Sequence, residues 1–352
     1  MDNRTTHTLA EILGQTSAWR ATLDEVSAKD RHIRDLVRKD ALREVIFTGC
    51  GSTYYLSLAA AAVFQAMTGL RAQGLPASEL LLFPRSHLTE EEQTLLVAVS
   101  RSGETTETLR AVHAFRQRRN GDVLVITCDE TSRLAANGSV TLVARQAKDK
   151  SIAQTRSFTS MLLAAHALAA VTARRSDYLE QLGSLPALGQ KLIASQQGLA
   201  RRVGEDLGLD KFFFLGSGPN YGLACEAMLK MKEMSLSSSE AFHFAEFRHG
   251  PMSMVDGQTL VVGLMSDSAA EFEVKVLQQM KELGARLLAF SDNEPLMASI
   301  GADYPVCLCS GISEYVRGAL YLPVLQLVAY YRAIQKGLDP DRPKHLTYAV
   351  KL

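Results

Sequence analysis

The sequence states one pattern twice. "GCGSTYYL" at 49–56 and "GSGPNYGL" at 216–223 share the form G-x-G-x-x-Y-x-L and stand 167 residues apart in a chain of 352. Each copy follows an apolar run, "EVIFT" or "FFFL", and opens a helical pattern. A repeat of about half the chain means two duplicated domains, because solenoid units are far shorter. Apolar runs continue after each copy. The first half offers "REVIFTG", "ELLLFP", "TLLVAVS", "DVLVITC" and "VTLVAR". The second offers "KFFFLGS", a polar stretch around "SSSEAFHF", then "QTLVVGLM", "ARLLAFS" and "YPVCLC". Such runs suit strands covered on both faces. Helical patterns between them, such as "ETLRAVHAFRQRR", predict parallel sheets flanked by helices.

The expected fold class is therefore α/β: two similar three-layer α/β/α sandwiches, at 41–185 and 186–338. A helical lead-in occupies 1–40, a linking helix 186–206, and a tail 339–352. The repeat is not a dinucleotide fingerprint. Tyr54 and Tyr221 stand where its third glycine belongs, and "LLFPRS" offers no acid for a ribose hydroxyl.

Charge and cysteine content narrow the function. Lysines and arginines number 38 and acidic residues 38, which gives no basis for nucleic acid or an anionic membrane as partner. Five cysteines (Cys50, Cys128, Cys225, Cys307, Cys309) show no metal spacing and read as buried free thiols. There is no basic-then-apolar leader, and polar residues interrupt every apolar segment. A cytoplasmic location is expected.

In an open parallel sheet, ligands bind where strands end and helices begin. "SRSGETTET" at 100–108 lies at such a place, with Ser100, Ser102, Thr105 and Thr106 around Gly103. Free amides and the positive helix end attract an anion there. One hydroxyl serves as an ordinary helix cap; four exceed that need. No P-loop lysine is present, so a phosphate monoester fits better than a nucleoside triphosphate. Glu104 and Glu107 would repel it if they faced it. Ser52 and Thr53, and Gln154, Thr155 and Ser157, form two further polar turns.

In the second half, Glu226, Lys230 and Glu233 share one helix face, opposite Leu223, Ala227, Met231 and Met234. That spacing fits either a solvated ion pair or a catalytic group. His249 precedes a Gly-Pro turn, where an exposed imidazole moves protons near neutral pH. His243, between two phenylalanines, reads as a core group.

Together, "VSRSGETTET", "TRSFTSMLL", "EAMLKMKEMS", "EAFHFAEFRHGPMSMV" and "DPDRPKHL" resemble the sugar isomerase (SIS) domain pair, in particular the isomerase half of glucosamine-6-phosphate synthases. The resemblance runs from about residue 8 to the C-terminus. It implies that Ser100, Arg101, Ser102 and Thr105 bind phosphate, with Arg101 where the synthases have glutamine. Gly51, Ser52 and Thr53 match a substrate-binding turn. Ile152 and Gln154 match positions beside the sugar, Gln154 in place of a serine. Glu233 matches the base that moves a proton between C1 and C2, with Lys230 beside it. His249 matches the ring-opening histidine, contributed across a homodimer interface. No metal or cofactor is implied.

Two departures shape the expected activity. The chain opens directly on the isomerase lead-in, with no nucleophilic cysteine after Met1, so the reaction is expected to be glutamine-independent. Tyr348 stands at the place of the synthases' Schiff-base lysine and forms no imine; Lys344 and Lys351 flank it. The expectation is an amino-sugar 6-phosphate enzyme of the glucosamine-6-phosphate deaminase/isomerase type. The alternatives are a phosphorylated Amadori-compound (fructosamine 6-phosphate) deglycase, a ketose–aldose phosphate isomerase, and a non-catalytic sugar-phosphate sensor.

Overall fold

The computed structural model describes residues 6–37, 42–88, 93–118 and 121–350. The start and end of the expected lead-in (1–5 and 38–40) and Lys351 lie outside the described residues. Two compact units result. The first comprises Gly14–Pro186 and Leu346–Leu352; the second comprises Met1–Leu13 and Ala187–His345. Three lead-in helices come first: α1 (His7–Leu13), α2 (Gln15–Ala28) and α3 (Asp30–Val37). α1 belongs to the second unit, where the Asp341 carboxylate accepts the His7 and Thr8 amides.

The first unit continues with β1 (Leu42–Gly49), α4 (Ser52–Thr68), β2 (Arg71–Pro76), α5 (Ala77–Leu82), α6 (Pro84–His87) and β3 (Gln93–Ser100). Then come α7 (Thr106–Arg118), β4 (Val123–Thr127), β5 (Val140–Val143), α8 (Arg156–Thr172) and the start of α9 (Ser176–Glu205), which from Ala187 on belongs to the second unit. All its strands are parallel, in the order β2-β1-β3-β4-β5. Alternate side chains supply the two faces. Ile46, Leu96, Ala98, Val123 and Val125 pack with Ala77 and Leu80 of α5 and with Ala111, Val112 and Phe115 of α7. On the other face Phe47 meets Phe64 of α4 edge-on. The single tryptophan, Trp19, is buried and donates its indole N–H to the Thr159 hydroxyl at 2.8 Å, tying α2 to α8.

The second unit contains β6 (Lys211–Gly216), α10 (Pro219–Ser235), β7 (Ser238–Phe242), α11 (Phe244–Phe247), β8 (Thr259–Leu264) and α12 (Ala270–Glu282). β9 (Arg286–Ser291), α13 (Glu294–Ile300), β10 (Tyr304–Cys307) and α14 (Leu322–Gln335) complete it. Its order, β10-β9-β8-β6-β7, is also all parallel. Counted within the unit, both sheets run 2-1-3-4-5. The duplicated α/β architecture predicted from the repeat is thus the observed one.

The repeated glycines do two separate things, the same in each copy. A Cβ on Gly49 would lie 2.4 Å from Thr53 Oγ1 and 2.8 Å from its backbone; a Cβ on Gly216 would lie 2.4 Å from the Asn220 carbonyl. The first glycine therefore lets the strand touch the first turn of its helix. The second, Gly51 or Gly218, enters the helix at φ 56° or 55°, with ψ −123° or −129°. Only glycine holds that conformation without strain.

Three expectations need correction. "ELLLFP" is not a strand: residues 77–82 are α5, and the strand is the preceding Arg71–Pro76. β2 is a sheet edge and only partly covered, so it lacks a continuous apolar run. Gly74 there abuts the backbone of Ser57 in α4. The linking helix starts ten residues early, at Ser176, and carries Pro186 within it. Cys307 and Cys309 are joined in a disulfide, whereas Cys50, Cys128 and Cys225 are free. The strand ends at Cys307, and Cys309 turns back at φ 43°. Among the described residues, no helix is long and apolar enough to cross a membrane.

A paired substitution tests the glycine assignment. Gly216→Ala forces backbone apart and is expected to destabilise by about 1–3 kcal/mol. Gly183→Ala, inside α9 with nothing near its added Cβ, is expected to stabilise by roughly 0.5–1 kcal/mol. Urea unfolding of both variants measures the contrast.

Candidate active site

A sheet ordered 2-1-3-4-5 binds ligands at the carboxyl ends of strands 1 and 3, where the connections diverge. In the first unit those ends carry Gly51, Ser52 and Thr53 after β1, and residues 101–105 after β3. The 2-1-3 order brings both turns to one sheet end. Ser52 and Thr53 are buried, and Thr53 Oγ1 both accepts the Cys50 amide and donates to the Cys50 carbonyl. Across the sheet, Ser100 Oγ accepts the Gly103 amide at 3.1 Å and Ser102 Oγ accepts the Glu104 amide at 3.1 Å. Thr105 Oγ1 lies 3.4 Å from Ser100 Oγ. A hydroxyl oxygen that accepts from its own backbone still has its proton to donate. The turn is therefore wound so that its serines are donors. Gly103, at φ 63°, is forced by Ser132, whose Oγ lies 2.0 Å from where a Cβ would stand. Glu104 is directed elsewhere: its carboxylate accepts the Arg133 amide at 2.8 Å and side-chain Nε at 2.6 Å.

The third polar turn is arranged differently from the sequence reading. Thr155 and Ser157 give their hydroxyls to the buried carboxylate of Asp149, which also accepts the Thr155 amide. Gln154 Oε1 is buried and has no hydrogen-bond partner. Ile152 is half-buried beside it in sequence. Asp149 was missed because an isolated acid between lysines, in "KDKS", carries no pattern. Arg101 does not lie open to a ligand. Its guanidinium donates to the carbonyls of Ser151 (3.2 Å) and Tyr348 (3.1 Å) and lies 4.0 Å from the Tyr348 ring centre. Burial pushes the Tyr348 hydroxyl up to about 12, so it stays protonated at neutral pH. The tail continues to Val350, whose carbonyl accepts the Thr106 amide at the start of α7. Lys344, in the other unit, is exposed.

In the second unit, the corresponding helix α10 is buried almost all round, so the face holding Glu226, Lys230 and Glu233 is not a solvated one. Lys230 is 1% exposed, Glu226 0% and the Glu233 side chain 18%. Lys230 Nζ lies 3.3 Å from Glu226 Oε1 and donates to Glu233 Oε2. Burial alone would lower the lysine pKa, but the two carboxylates more than reverse this and raise it. The ammonium is thus fixed as a cation, and Glu233 is the carboxylate of the pair that reaches solvent. His249 is exposed, in the turn before Gly250. His243 is exposed too, not a core group: its edge strand ends at Phe242, and its ring stacks on Tyr221 at 3.8 Å.

The second unit also has a copy of the hydroxyl turn, after β8, but it is filled from within. Glu314 accepts the amides of Asp267 (2.7 Å) and Ser268 (3.3 Å) and the Ser268 hydroxyl. Arg317, 1% exposed, holds the Asp267 carboxylate with both terminal nitrogens. Beneath it the buried Glu273 accepts the Ser266 amide at 2.7 Å. In the turn after β3, by contrast, the Gly103 and Glu104 amides go to serine hydroxyls.

The family model for the SIS domain matches this chain twice, at 41–171 and 209–335. The chain belongs to the SIS domain family. This SIS chain is 26% identical, over 346 residues, to a glutamine–fructose-6-phosphate aminotransferase (isomerizing) from Methanothermobacter thermautotrophicus. The match covers 97% of this chain and 57% of that protein, so the chain spans little more than half the relative's length. Two solved structures are similar. A glucosamine-6-phosphate deaminase from Thermotoga maritima matches with TM-score 0.78 and 30% identity, covering 99% of this chain and 100% of the other. A tagatose-6-phosphate ketose/aldose isomerase from Escherichia coli matches with TM-score 0.86 and 26% identity, over 96% and 94%.

The filled SIS turn makes stability depend on pH. Burial, then the nearby Glu314 and Asp267, push Glu273 up to about 7. The folded state keeps a proton that the unfolded chain releases near pH 4.5. This contribution is therefore complete below pH 4.5 and lost as pH rises through 7, a change on the order of 3 kcal/mol. Glu273→Gln keeps the acceptor for Ser266 and removes that slope. Denaturant titrations at pH 5 and 8 are expected to show the variant gaining on the wild type at pH 8 only.

Proposed function

We propose that this SIS chain acts on amino-sugar 6-phosphates, as a glutamine-independent enzyme of the glucosamine-6-phosphate deaminase/isomerase type. The observation that carries the reading is the carboxylate–ammonium–carboxylate set on α10, with Glu233 its solvent-reaching member. A buried cation held between two acids is a costly arrangement in a helix that apolar residues would otherwise fill. It suits a base that must be ionised before it takes up a proton and must give that proton back. The similarity to the Thermotoga maritima deaminase over the full chain supports the substrate class.

In this reading the ester is taken by the hydroxyls of Ser100, Ser102 and Thr105, with Gly51, Ser52 and Thr53 contacting the substrate. Remote binding of the ester holds the reacting carbons in register. His249 opens the sugar ring, and its exposure leaves it accessible to a second copy of the chain. Glu233 removes the C2 proton to give an enolamine and returns it at C1. The resulting ketimine takes up water and releases ammonia, leaving fructose 6-phosphate. Lys230 offsets negative charge on the base and on the developing enolamine. Tyr348 supplies no amine, so no imine with the enzyme is part of the route. That same absence favours, as a second reading, release of an amine from a fructosamine 6-phosphate, in which C1–C2 proton transfer gives a C1 imine that water hydrolyses to the amine and glucose 6-phosphate. The Escherichia coli similarity keeps a plain ketose–aldose isomerisation in view.

The test is a substrate panel with one variant. Glucosamine 6-phosphate is expected to yield ammonia and fructose 6-phosphate, and Glu233→Gln to lower kcat by about 10²–10⁴-fold. Amine release from fructosyl-amino-acid 6-phosphates alone would establish the second reading. Thermal stabilisation by hexose 6-phosphates with no turnover of any would make the chain a sensor.

A further inference from the structure

The position of Arg101, inside the turn that carries the hydroxyls, invites its assignment as a ligand of the ester. The geometry points to a different role. We propose that Arg101 is a positioning residue that ties the 149–155 turn and the C-terminal tail to the hydroxyl turn, and so holds Gln154 and Tyr348 as readers of the sugar's hydroxyl groups. This rests on the reading of the first unit's turn as a phosphate-ester cradle.

Arg101 is 4% exposed, and both terminal nitrogens of its guanidinium are engaged. Nη1 donates to the Ser151 carbonyl, and Asp149 Oδ2 stands 3.8 Å away as counter-charge. Nη2 donates to the Tyr348 carbonyl, and the guanidinium carbon sits 4.0 Å over the Tyr348 ring. A buried cation so paired has little attraction left for a second anion. Lysine could not replace it, because only a planar fork both stacks and bonds two carbonyls. The three segments it joins each carry a buried polar atom without a hydrogen-bond partner: Arg101 Nε, Gln154 Oε1 and Tyr348 Oη. Such atoms are rare in a folded chain and ask for an external partner. A polyhydroxylated ligand, anchored by its ester on Ser100 and Ser102, offers hydroxyls that both donate to Gln154 Oε1 and accept from Tyr348 Oη. Discrimination then lies in the sugar, not in the ester.

The experiment compares wild type, Arg101→Gln, Arg101→Lys and Tyr348→Phe. Calorimetric titration with inorganic phosphate and with glucose 6-phosphate is combined with amide hydrogen exchange of residues 346–350. Arg101→Gln is expected to leave phosphate affinity within about threefold, to weaken glucose 6-phosphate at least tenfold, and to speed tail exchange at least tenfold. Arg101→Lys is expected to behave like Arg101→Gln. Tyr348→Phe keeps the stacked ring, so it is expected to weaken glucose 6-phosphate selectively while tail exchange stays at the wild-type rate. Equal loss of both ligands in Arg101→Gln would make Arg101 an ester ligand and overturn the proposal. Unchanged tail exchange would overturn it as well. If wild type binds neither probe, the cradle reading fails, while the exchange rates still decide whether Arg101 ties the tail.

Discussion

A parallel strand can hand over to a helix in two residues only if the backbone approaches closer than any side chain allows. Gly49 and Gly216 permit that approach, and Gly51 and Gly218 make the reversal at positive φ. Because the turn is so short, the first helix of each unit starts directly at the end of its first strand. Helix N-termini and strand ends then meet at one edge of the sheet. The strand order places the third strand beside the first, so its own turn joins the same edge. Everything attributed to ligand binding in the first unit follows from this backbone constraint. The hydroxyls are decoration on a geometry that glycine sets.

The two units use the same frame for unlike electrostatics. Within residues 100–105 each charged side chain is paired, Glu104 with Arg133 and Arg101 with Asp149. On α10, three ionisable side chains are packed onto one helix face, Lys230 and Glu226 fully buried. Such charges persist in an apolar surrounding only when each has a partner, and Lys230 serves two. Neutral donors suit the permanent charge of a phosphate, whereas a held carboxylate suits a proton that must come and go.

How much of this was legible beforehand depends on whether a signal was local. The glycine repeat and most of the buried strands each lie within a few consecutive residues and were found as read, and the hydroxyl turn does stand where a strand hands over to a helix. β2 was misread because an edge strand, covered on one side, lacks the apolar run that marks its neighbours, while the next helix has one. His243 looked internal because it lies between two phenylalanines, of which Phe244 is buried and Phe242 partly so, yet the chain leaves the sheet between them. The roles of Glu314 and the Arg101–Tyr348 stack depend on residues 47 and 247 positions apart. No window of sequence contains both partners, so no pattern announces them. The Cys307–Cys309 link was missed for the converse reason: two cysteines on one strand face the same way, but the strand stops at the first of them.

Duplication ordinarily doubles whatever a fold can hold. Here Glu314 sits on the amides that its counterpart turn leaves to hydroxyls. A partner supplied by the chain itself competes at an effective concentration of roughly millimolar or more and never diffuses away. An ester would therefore have to displace the tethered Glu314 carboxylate at the turn after β8, whereas the Gly103 and Glu104 amides of the turn after β3 go to serine hydroxyls. The symmetry survives in the backbone, while the ester site proposed here belongs to one copy alone.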